Sequence, residues 1–224
     1  MKYSTVLADP PWQESGGGKI KRGADRHYPL MSIEAICALP VSALAEPNAH
    51  LYLWATNNFL ERAFEVIKAW GFRYVTCVTW GKYDFVTGKM NVGLGQYFRG
   101  SSEQLLFAVR GRVPYRINPE TQKRAQGRTL VLEPRGEHSA KPAVFRRIIE
   151  RVSPGPYLEL FARERVPGWD AWGNEVESSV TINEGPCTPR VDPESGTNTL
   201  RAVAESPTEA PPAADGLASP SKAL

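Results

Sequence analysis

The chain has 224 residues, 42% of them hydrophobic, so it is long and apolar enough to form one domain with a full core. Three scattered cysteines argue against a disulfide framework and for a reducing, cytoplasmic compartment, and three widely separated histidines predict no metal site. The sequence has no apolar stretch of membrane-spanning length and no signal-peptide pattern, so we expect no membrane association.

Charge is distributed unevenly along the chain. Residues 1–175 carry 24 Lys and Arg against 17 Asp and Glu, a net charge of +7, whereas residues 176–224 carry 3 against 7. A basic folded part suits a polyanionic partner, although a solvated surface with a mild excess of charge explains it as well. After residue 176 the aromatic residues vanish, so we predict a domain over 1–176 and a disordered acidic tail over 177–224.

The first predicted element is a short buried strand that ends at Ala8, directly before Asp9-Pro10-Pro11-Trp12. Ligands of α/β sheets bind at the carboxyl ends of strands, which makes Asp9 a candidate site residue. The prolines lack N–H groups, so this loop offers carbonyl acceptors, and Trp12 offers a flat ring. These groups suit an aromatic amine on a base that has left its stack. The alternative is a proline-rich turn with Asp9 as a cap and Trp12 in the core.

A Gly-rich, basic segment over 13–26 follows this motif and includes Lys19, Lys21 and Arg22. Its spacing is not that of a P-loop. We interpret it as a mobile loop that closes over a target nucleotide and places these cations on backbone phosphates. A surface loop without that role is the alternative.

The next stretch alternates between helices and strands. Ser32 is a suitable N-cap for a short helix, which a second short segment follows. We then predict a strand over 49–55, an amphipathic helix over 59–70 with an apolar stripe typical of core packing, and Gly71 directly after its end. A strand rich in β-branched and aromatic residues covers 73–80.

Two long basic segments flank a predicted strand over 103–109. Residues 81–102 combine aromatic residues with cations such as Arg99, which suits single-stranded or flipped nucleic acid, although a partner-binding or oligomer loop is nearly as good an explanation. Residues 110–135 contain seven basic residues and are predicted as a loop or hairpin with a strand near 129–132. They are the best candidate for phosphate contacts from sequence alone.

The last part of the predicted domain contains one helix, one strand and a polar end. The helix runs from Lys141-Pro142 to about residue 152, with Ser139 as its cap. A lysine at a helix N-terminus favours an anion, although a solvated surface lysine is the alternative. A buried strand over 157–162 follows, and Asn174-Glu175 then offers groups that can hydrogen-bond base or ribose edges.

The tetrapeptide Asp9-Pro10-Pro11-Trp12 resembles the catalytic motif of amino-methyltransferases. Further blocks occur in the order seen in the MT-A70 family: Tyr28-Pro29-Leu30-Met31-Ser32, Leu51-Tyr52-Leu53-Trp54-Ala55-Thr56, His138-Ser139-Ala140-Lys141-Pro142, Ser153-Pro154-Gly155-Pro156, Leu158-Glu159-Leu160-Phe161-Ala162-Arg163 and Gly173-Asn174-Glu175. The resemblance extends over roughly residues 3–176.

This resemblance implies transfer of a methyl group from S-adenosylmethionine to N6 of adenine in nucleic acid. The catalytic residues that it implies are Asp9, Pro10, Pro11 and Trp12, and the residues that it places at the base are Trp12 and Tyr28. The implied cofactor contacts are Asp9, Lys141, Phe161, Arg163, Asn174 and Glu175. From their charge we expect further nucleic-acid contacts from Lys19, Lys21, Arg22 and Arg99.

The family also implies the fold class, which is α/β. We expect a Rossmann-like class I methyltransferase fold with a mostly parallel sheet flanked by helices, circularly permuted because the catalytic block precedes the cofactor-binding strand. DNA is favoured over RNA because the chain resembles compact, stand-alone members of the family. An RNA adenosine methyltransferase and a non-catalytic nucleic-acid-binding subunit are the alternatives, and a homodimer or a partner subunit stays open.

Overall fold

The strands of the protein form one mixed, seven-stranded sheet in a computed structural model that describes residues 1–13, 30–93, 97–113, 115–136 and 140–182. The strands are β1 (Tyr3–Ala8), β2 (Ala45–Ala55), β3 (Arg73–Tyr83), β4 (Ser102–Arg110), β5 (Leu130–Pro134), β6 (Tyr157–Leu160) and β7 (Trp169–Trp172). Their order across the sheet is β5-β3-β4-β2-β1-β6-β7, and every pairing is parallel except the two made by β4. The predicted α/β fold with a mostly parallel sheet is confirmed, whereas the circular permutation stays a prediction.

Helices cover both faces of this sheet. They are α1 (Ile33–Ala38), α2 (Val41–Leu44), α3 (Leu60–Ala69) and α4 (Val144–Val152), and a short 3₁₀ turn over Asn57–Phe59 precedes α3. Because side chains alternate along a strand, Leu51 and Leu53 of β2 pack with α1, α2 and α3, while Tyr52 and Trp54 pack with α4 on the other face. The sheet is therefore buried in two separate apolar clusters.

Local sequence signals explain the start of α1 and the end of α3. The Ser32 hydroxyl accepts a hydrogen bond from the Ala35 N–H at 3.2 Å, as expected of an N-cap. Gly71 follows α3 with a φ of +80°, the left-handed conformation that favours glycine after a helix. Just before it, the buried indole of Trp70 donates to the Ile36 carbonyl at 2.9 Å and so ties α3 to α1. Truncation of this side chain to alanine would cost about 3–5 kcal/mol.

The prediction for α4 was wrong at its start. The helix begins at Val144 rather than at Lys141-Pro142, because the chain first makes a tighter turn in which the Phe145 N–H donates to the Pro142 carbonyl at 3.1 Å. Lys141 therefore lies on the approach to the helix. Ser139, its predicted cap, is outside the described residues.

The described chain continues past residue 176 and packs on the domain. Ile182 is buried in the larger apolar cluster, and the Ser179 N–H donates to the Ala171 carbonyl of β7 at 2.8 Å. The described residues up to Ile182 belong to one compact unit, and residues 183–224 lie outside the described part of the chain. The predicted disordered tail therefore stays a prediction.

The carboxyl ends of β1, β2 and β6 lie together at one edge of the sheet. In the parallel register Ala8 is aligned with Leu53 and with Leu160, so β1, β2 and β6 end at the same level. Because β4 is antiparallel, it begins where they end, and its Gln104 is aligned with Ala55. The residues just after β1 and β6, and the first residues of β4, are therefore neighbours.

Candidate active site

A chain of four alternating charges lies along this edge. Lys141 Nζ lies 2.6 Å from Asp9 Oδ2 and 3.4 Å from Glu103 Oε2, and Glu103 also pairs with Lys82. Asp9 follows β1 and Lys141 precedes α4, while Glu103 is the second residue of β4 and Lys82 the last but one of β3, so four elements meet here. Only 16–30% of each of these side chains is exposed, so their interactions are partly shielded from solvent.

Burial and charge act against each other in this group. Burial raises the pKa of the Asp9 carboxyl above its usual value, and the nearby Lys141 ammonium offsets only part of that rise. Burial raises the pKa of Glu103 as well, but Lys141 and Lys82 outweigh it and the net shift is downward. For Lys141 burial lowers the pKa, and the two carboxylates more than compensate. Lys141 therefore stays charged, whereas Asp9 is the more basic of the two carboxylates.

Asp9 and Lys141 open into a cavity of about 240 Å³. Its wall combines apolar and aromatic groups with charged ones: Leu7, Asp9, Trp54, Ala140, Lys141, Pro142, Phe145, Arg146, Glu159, Phe161, Arg163, Glu164 and Glu175. Lys141 Nζ also lies 5.5 Å from the ring centre of Trp54, a cation–π distance. The predicted site residues Asp9, Lys141, Phe161, Arg163 and Glu175 are therefore brought together around one cavity.

The far side of this cavity is held by two arginines. Arg146 donates to both oxygens of Glu159 at 2.8 and 3.0 Å and to Glu164 at 2.8 Å, which fixes its guanidinium in one plane. Burial raises the pKa of Glu159, and Arg146 opposes that rise. Arg163 Nε donates to Glu175 at 2.9 Å. These pairs offer hydroxyl-binding carboxylates and fixed donors to a polar ligand.

Two backbone features shape the segment after β6. Phe161 has a φ of +61°, a left-handed conformation that costs a non-glycine residue about 1–2 kcal/mol, and strain of this kind often marks functional sites. Its ring packs edge-on against Trp172, with the ring centres 5.4 Å apart. A Cβ at Gly173 would lie 2.2 Å from the Ala162 carbonyl oxygen, so only glycine lets the chain pass so close to the end of β6.

The proline corner is arranged partly as predicted. The Pro10 carbonyl accepts the Trp12 N–H at 2.9 Å and keeps one further lone pair, and the Pro11 carbonyl accepts the Met31 N–H at 2.9 Å. The Trp12 ring is only 8% exposed; it stacks on Phe59 and donates to the Trp54 carbonyl at 3.2 Å. The Trp12 ring therefore packs into the core of the domain, and its stacking on a base stays a prediction.

Other predicted residues lie away from the cavity or outside the described residues. Asn174 is exposed and does not line the cavity. Arg99 donates to the Gly93 and Val92 carbonyls at 2.9 and 3.3 Å, so it holds its own loop together. The roles predicted for Lys19, Lys21, Arg22 and Tyr28 fall on residues that are not described.

Sequence reasoning missed several members of the site. Glu103, Lys82 and Arg146 carried no local signal, because each becomes significant only through partners far along the chain. Glu159 did carry one, since it is a charged residue in the middle of a buried strand. Within the described residues no group of three or more His, Cys, Asp or Glu could hold a metal ion, and no helix is long and apolar enough to cross a membrane.

Comparisons with known proteins agree with this geometry. The family model described as MT-A70 matches residues 3–175. The chain is 29% identical over 196 residues to the type II methyltransferase M.MunI from Mycoplasma sp, and the match covers 78% of each chain. It is 31% identical to the N(6)-adenine-specific methyltransferase METTL4 from Homo sapiens, with 78% of this chain and 37% of the relative covered.

A further relative is the N6-methyladenosine RNA methyltransferase MTA1 from Cryphonectria parasitica, which is 29% identical over 183 residues, with 78% of this chain and 52% of the relative covered. This chain thus spans about half or less of the length of METTL4 and MTA1. Because the family model covers most of the chain, from the first strand to the end of the cavity wall, the protein belongs to the MT-A70 family.

Proposed function

We propose that this protein transfers a methyl group from S-adenosylmethionine to the N6 amine of adenine in nucleic acid, with DNA favoured over RNA. One observation carries the proposal. The Asp9 carboxylate stands at the end of β1 on a cavity that it shares with Lys141, at 2.6 Å, and with the polar end of β6. Family membership gives this arrangement its chemical meaning.

The residues at the corner suit a poor nucleophile such as an aromatic amine. Lys141 occupies Asp9 Oδ2, so the other oxygen, Oδ1, is the acceptor for one N–H of the amine. The second lone pair of the Pro10 carbonyl accepts the other N–H. The Asp9 charge stabilises the positive charge that develops on nitrogen, and its raised pKa suits it to take up the proton that the methylated amine releases.

The cavity also has the donor set that the cofactor needs. S-adenosylmethionine supplies an electrophilic methyl group and carries a carboxylate, ribose hydroxyls and an adenine ring. Lys141 is the cation for the carboxylate, Glu175 and Arg163 are polar partners for the ribose, and Phe161 offers an aromatic surface. Asn174, next to Glu175, is exposed and is not among the residues that line the cavity, so we assign it no contact.

The choice of DNA rests on the resemblance to compact family members and on M.MunI, named as a type II methyltransferase, of which the match covers 78%. RNA is the second candidate, because MTA1 is named as an RNA methyltransferase. The non-catalytic reading is weaker, since the Asp9–Lys141 pair and the cavity are intact. A cytoplasmic location, and a homodimer or partner subunit, are part of the same proposal and rest on sequence alone.

The test is incubation with tritiated S-adenosylmethionine and matched DNA and RNA oligonucleotides, followed by mass spectrometry of the nucleosides. We expect N6-methyladenine in DNA, and a roughly hundredfold lower turnover for Asp9→Asn, as is typical of a lost electrostatic stabiliser. Asp84→Asn, in an exposed loop, is the matched control and should retain activity. Equal turnover of Asp9→Asn and wild type would refute the proposed site, and labelling of RNA alone would reverse the choice of substrate.

A further inference from the structure

A second, larger cavity lies on the α4 face of the sheet, away from the catalytic edge. Its volume is about 1130 Å³, and its floor is formed by side chains of β2, β3 and β4 that include Tyr52, Val78 and Phe107. Ile148 and Val152 of α4 form one side, and a long segment over residues 111–129 arches across another. From strand spacing and register, the Arg73 end of this cavity is about 20 Å from Asp9.

The charged side chains that line this cavity are all positive. Arg73, Arg112, Arg124 and Arg128 are all exposed at it, and its described wall contains no Asp or Glu. None of these four guanidinium groups forms an ion pair with a described residue. Four cations that line one cavity, with no carboxylate in its described wall, favour an anionic ligand there.

The contacts that hold this segment on the domain are made by arginines other than the four that line the cavity. Two other arginines anchor it: Arg116 donates to the Ser153 carbonyl at 3.2 Å, and Arg151 donates to the Gln126 carbonyl at 3.0 Å. The Ala125 N–H donates to the Arg116 carbonyl at 2.8 Å and closes a hairpin. Arg116 and Arg151 therefore hold this segment in place, and the four lining arginines are not needed for that.

Aromatic surface accompanies the charge. Tyr115 is 67% exposed, and the Arg124 guanidinium lies 4.3 Å from its ring centre. On the floor, His50 and Tyr52 both hydrogen-bond the buried Ser153 hydroxyl at 2.7 Å, and burial lowers the pKa of His50 to about 4, so the floor is neutral. An exposed ring beside cations, above an uncharged apolar floor, suits bases together with phosphates.

We infer that this arginine-lined cavity binds an unpaired stretch of the nucleic-acid strand that carries the target adenine, with phosphates on the arginines and a base on Tyr115. The inference deepens the proposed function, on which it rests. Two copies meeting through this face would bring like charges together, which argues against a symmetric dimer here. Because about 20 Å separates the cavity from Asp9, only a strand of several nucleotides can reach both.

The test compares Arg124→Ala/Arg128→Ala with the matched control Arg62→Ala/Lys68→Ala, which removes two exposed positive charges from α3 on the opposite face of the sheet. Thermal melting first checks that both fold like wild type. Fluorescence anisotropy then measures binding of labelled single strands of about four and about fifteen nucleotides at several salt concentrations. Tyr115→Ala and its conservative partner Tyr115→Phe test the stacking surface.

For the long strand we expect the slope of log affinity against log salt to become about 1.4 less steep in the arginine variant, which is about a 25-fold loss at 0.1 M salt. Tyr115→Ala should lose about tenfold, and Tyr115→Phe should bind like wild type. The short strand can bind in the cavity alone, so its affinity should also fall in the arginine variant and stay unchanged in the control. Losses no greater than those of the Arg62/Lys68 control, for the long strand or for the short one, would overturn the inference.

Two further measurements separate the alternatives. A polyglutamate peptide that displaces the long strand as well as unlabelled DNA of equal charge would overturn the nucleic-acid assignment in favour of an acidic protein partner. A wild-type dimer that the arginine variant abolishes, with unchanged strand binding, would overturn it in favour of a second copy. Anisotropy needs no methyl transfer, so the two proposals can fail separately. Strand binding that depends on the cavity arginines, without methylation, would refute the proposed function alone. Methylation by a protein whose arginine variant binds the long strand like wild type would refute this inference alone.

Discussion

Replacement of Glu103 by glutamine removes one charge from the four-membered chain at the sheet edge and keeps the size of the side chain. Glu103 lies 3.4 Å from Lys141 and also pairs with Lys82, so it shares Lys141 with Asp9. Without it, Lys141 interacts with Asp9 alone and neutralises more of the charge that the reacting amine needs. We therefore predict that Glu103 positions Lys141 and that its loss weakens catalysis indirectly.

The size of the effect follows from the distances. At 3.4 Å and an effective dielectric constant of about 20, the Lys141–Glu103 attraction is about 5 kcal/mol before desolvation is subtracted. A charge partner this close usually shifts a pKa by about 1–3 units, so the pKa of Lys141 should fall in the variant. The pKa of Asp9 should fall as well, because a like charge has been removed. We expect kcat to fall about tenfold, or about 1.4 kcal/mol, less than for direct loss of a stabiliser.

The assay is kcat against pH for wild type, Glu103→Gln and the control Glu61→Gln on α3. The acid limb of kcat reports the carboxylate that must be ionised, so it should move to lower pH in Glu103→Gln and stay in place in the control. Thermal melting of the same samples separates stability from catalysis. If the melting temperature falls while kcat stays within about twofold and the acid limb is unmoved, Glu103 is merely structural and the reasoning fails.

Two further predictions concern the core. Burial lowers the pKa of His50 from 6.5 to about 4, so this group binds a proton more readily in the unfolded chain. The free energy of unfolding should therefore fall as the pH falls from about 6.5 to 4, by at most about 3 kcal/mol. Urea unfolding at pH 7.5 and 4.5 should show a smaller loss of stability in acid for His50→Gln than for wild type, and an unchanged loss would contradict this. Trp12→Phe removes the hydrogen bond to the Trp54 carbonyl, so it should cost about 1–3 kcal/mol in stability and leave KM for an oligonucleotide unchanged. A raised KM at unchanged stability would instead support the predicted stacking of Trp12 on the base.

The elements were predictable where the signal was local. The Ser32 cap, Gly71 after α3 and the period of α3 depend on residues within a few positions, and the structure confirms them. β7 was missed because four residues, Trp169–Trp172, are too few to show a period. The start of α4 was misplaced because proline is compatible both with a first helical turn and with the tighter turn that precedes this helix.

The site was predictable only where a motif named its residue. Asp9 and Lys141 stood out because each follows or precedes an element in a recognisable block, although 132 positions separate them. Trp12 showed the limit of that reasoning, because the same tetrapeptide is compatible with an exposed ring and with the buried one that the structure shows. Exposure of a side chain depends on partners such as Phe59, which no local pattern reveals.

Glu103 could not be predicted as a site residue from the sequence. The rule that ligands lie at the carboxyl ends of strands searches the last residues of each strand, and it applies to parallel ones. β4 is antiparallel to both neighbours, so its first residues lie at that edge, and a glutamate there meets Lys141 and Lys82. The strand order and direction must be known before this residue becomes a candidate. In mixed sheets, the amino ends of antiparallel strands should therefore be searched together with the carboxyl ends of the parallel ones.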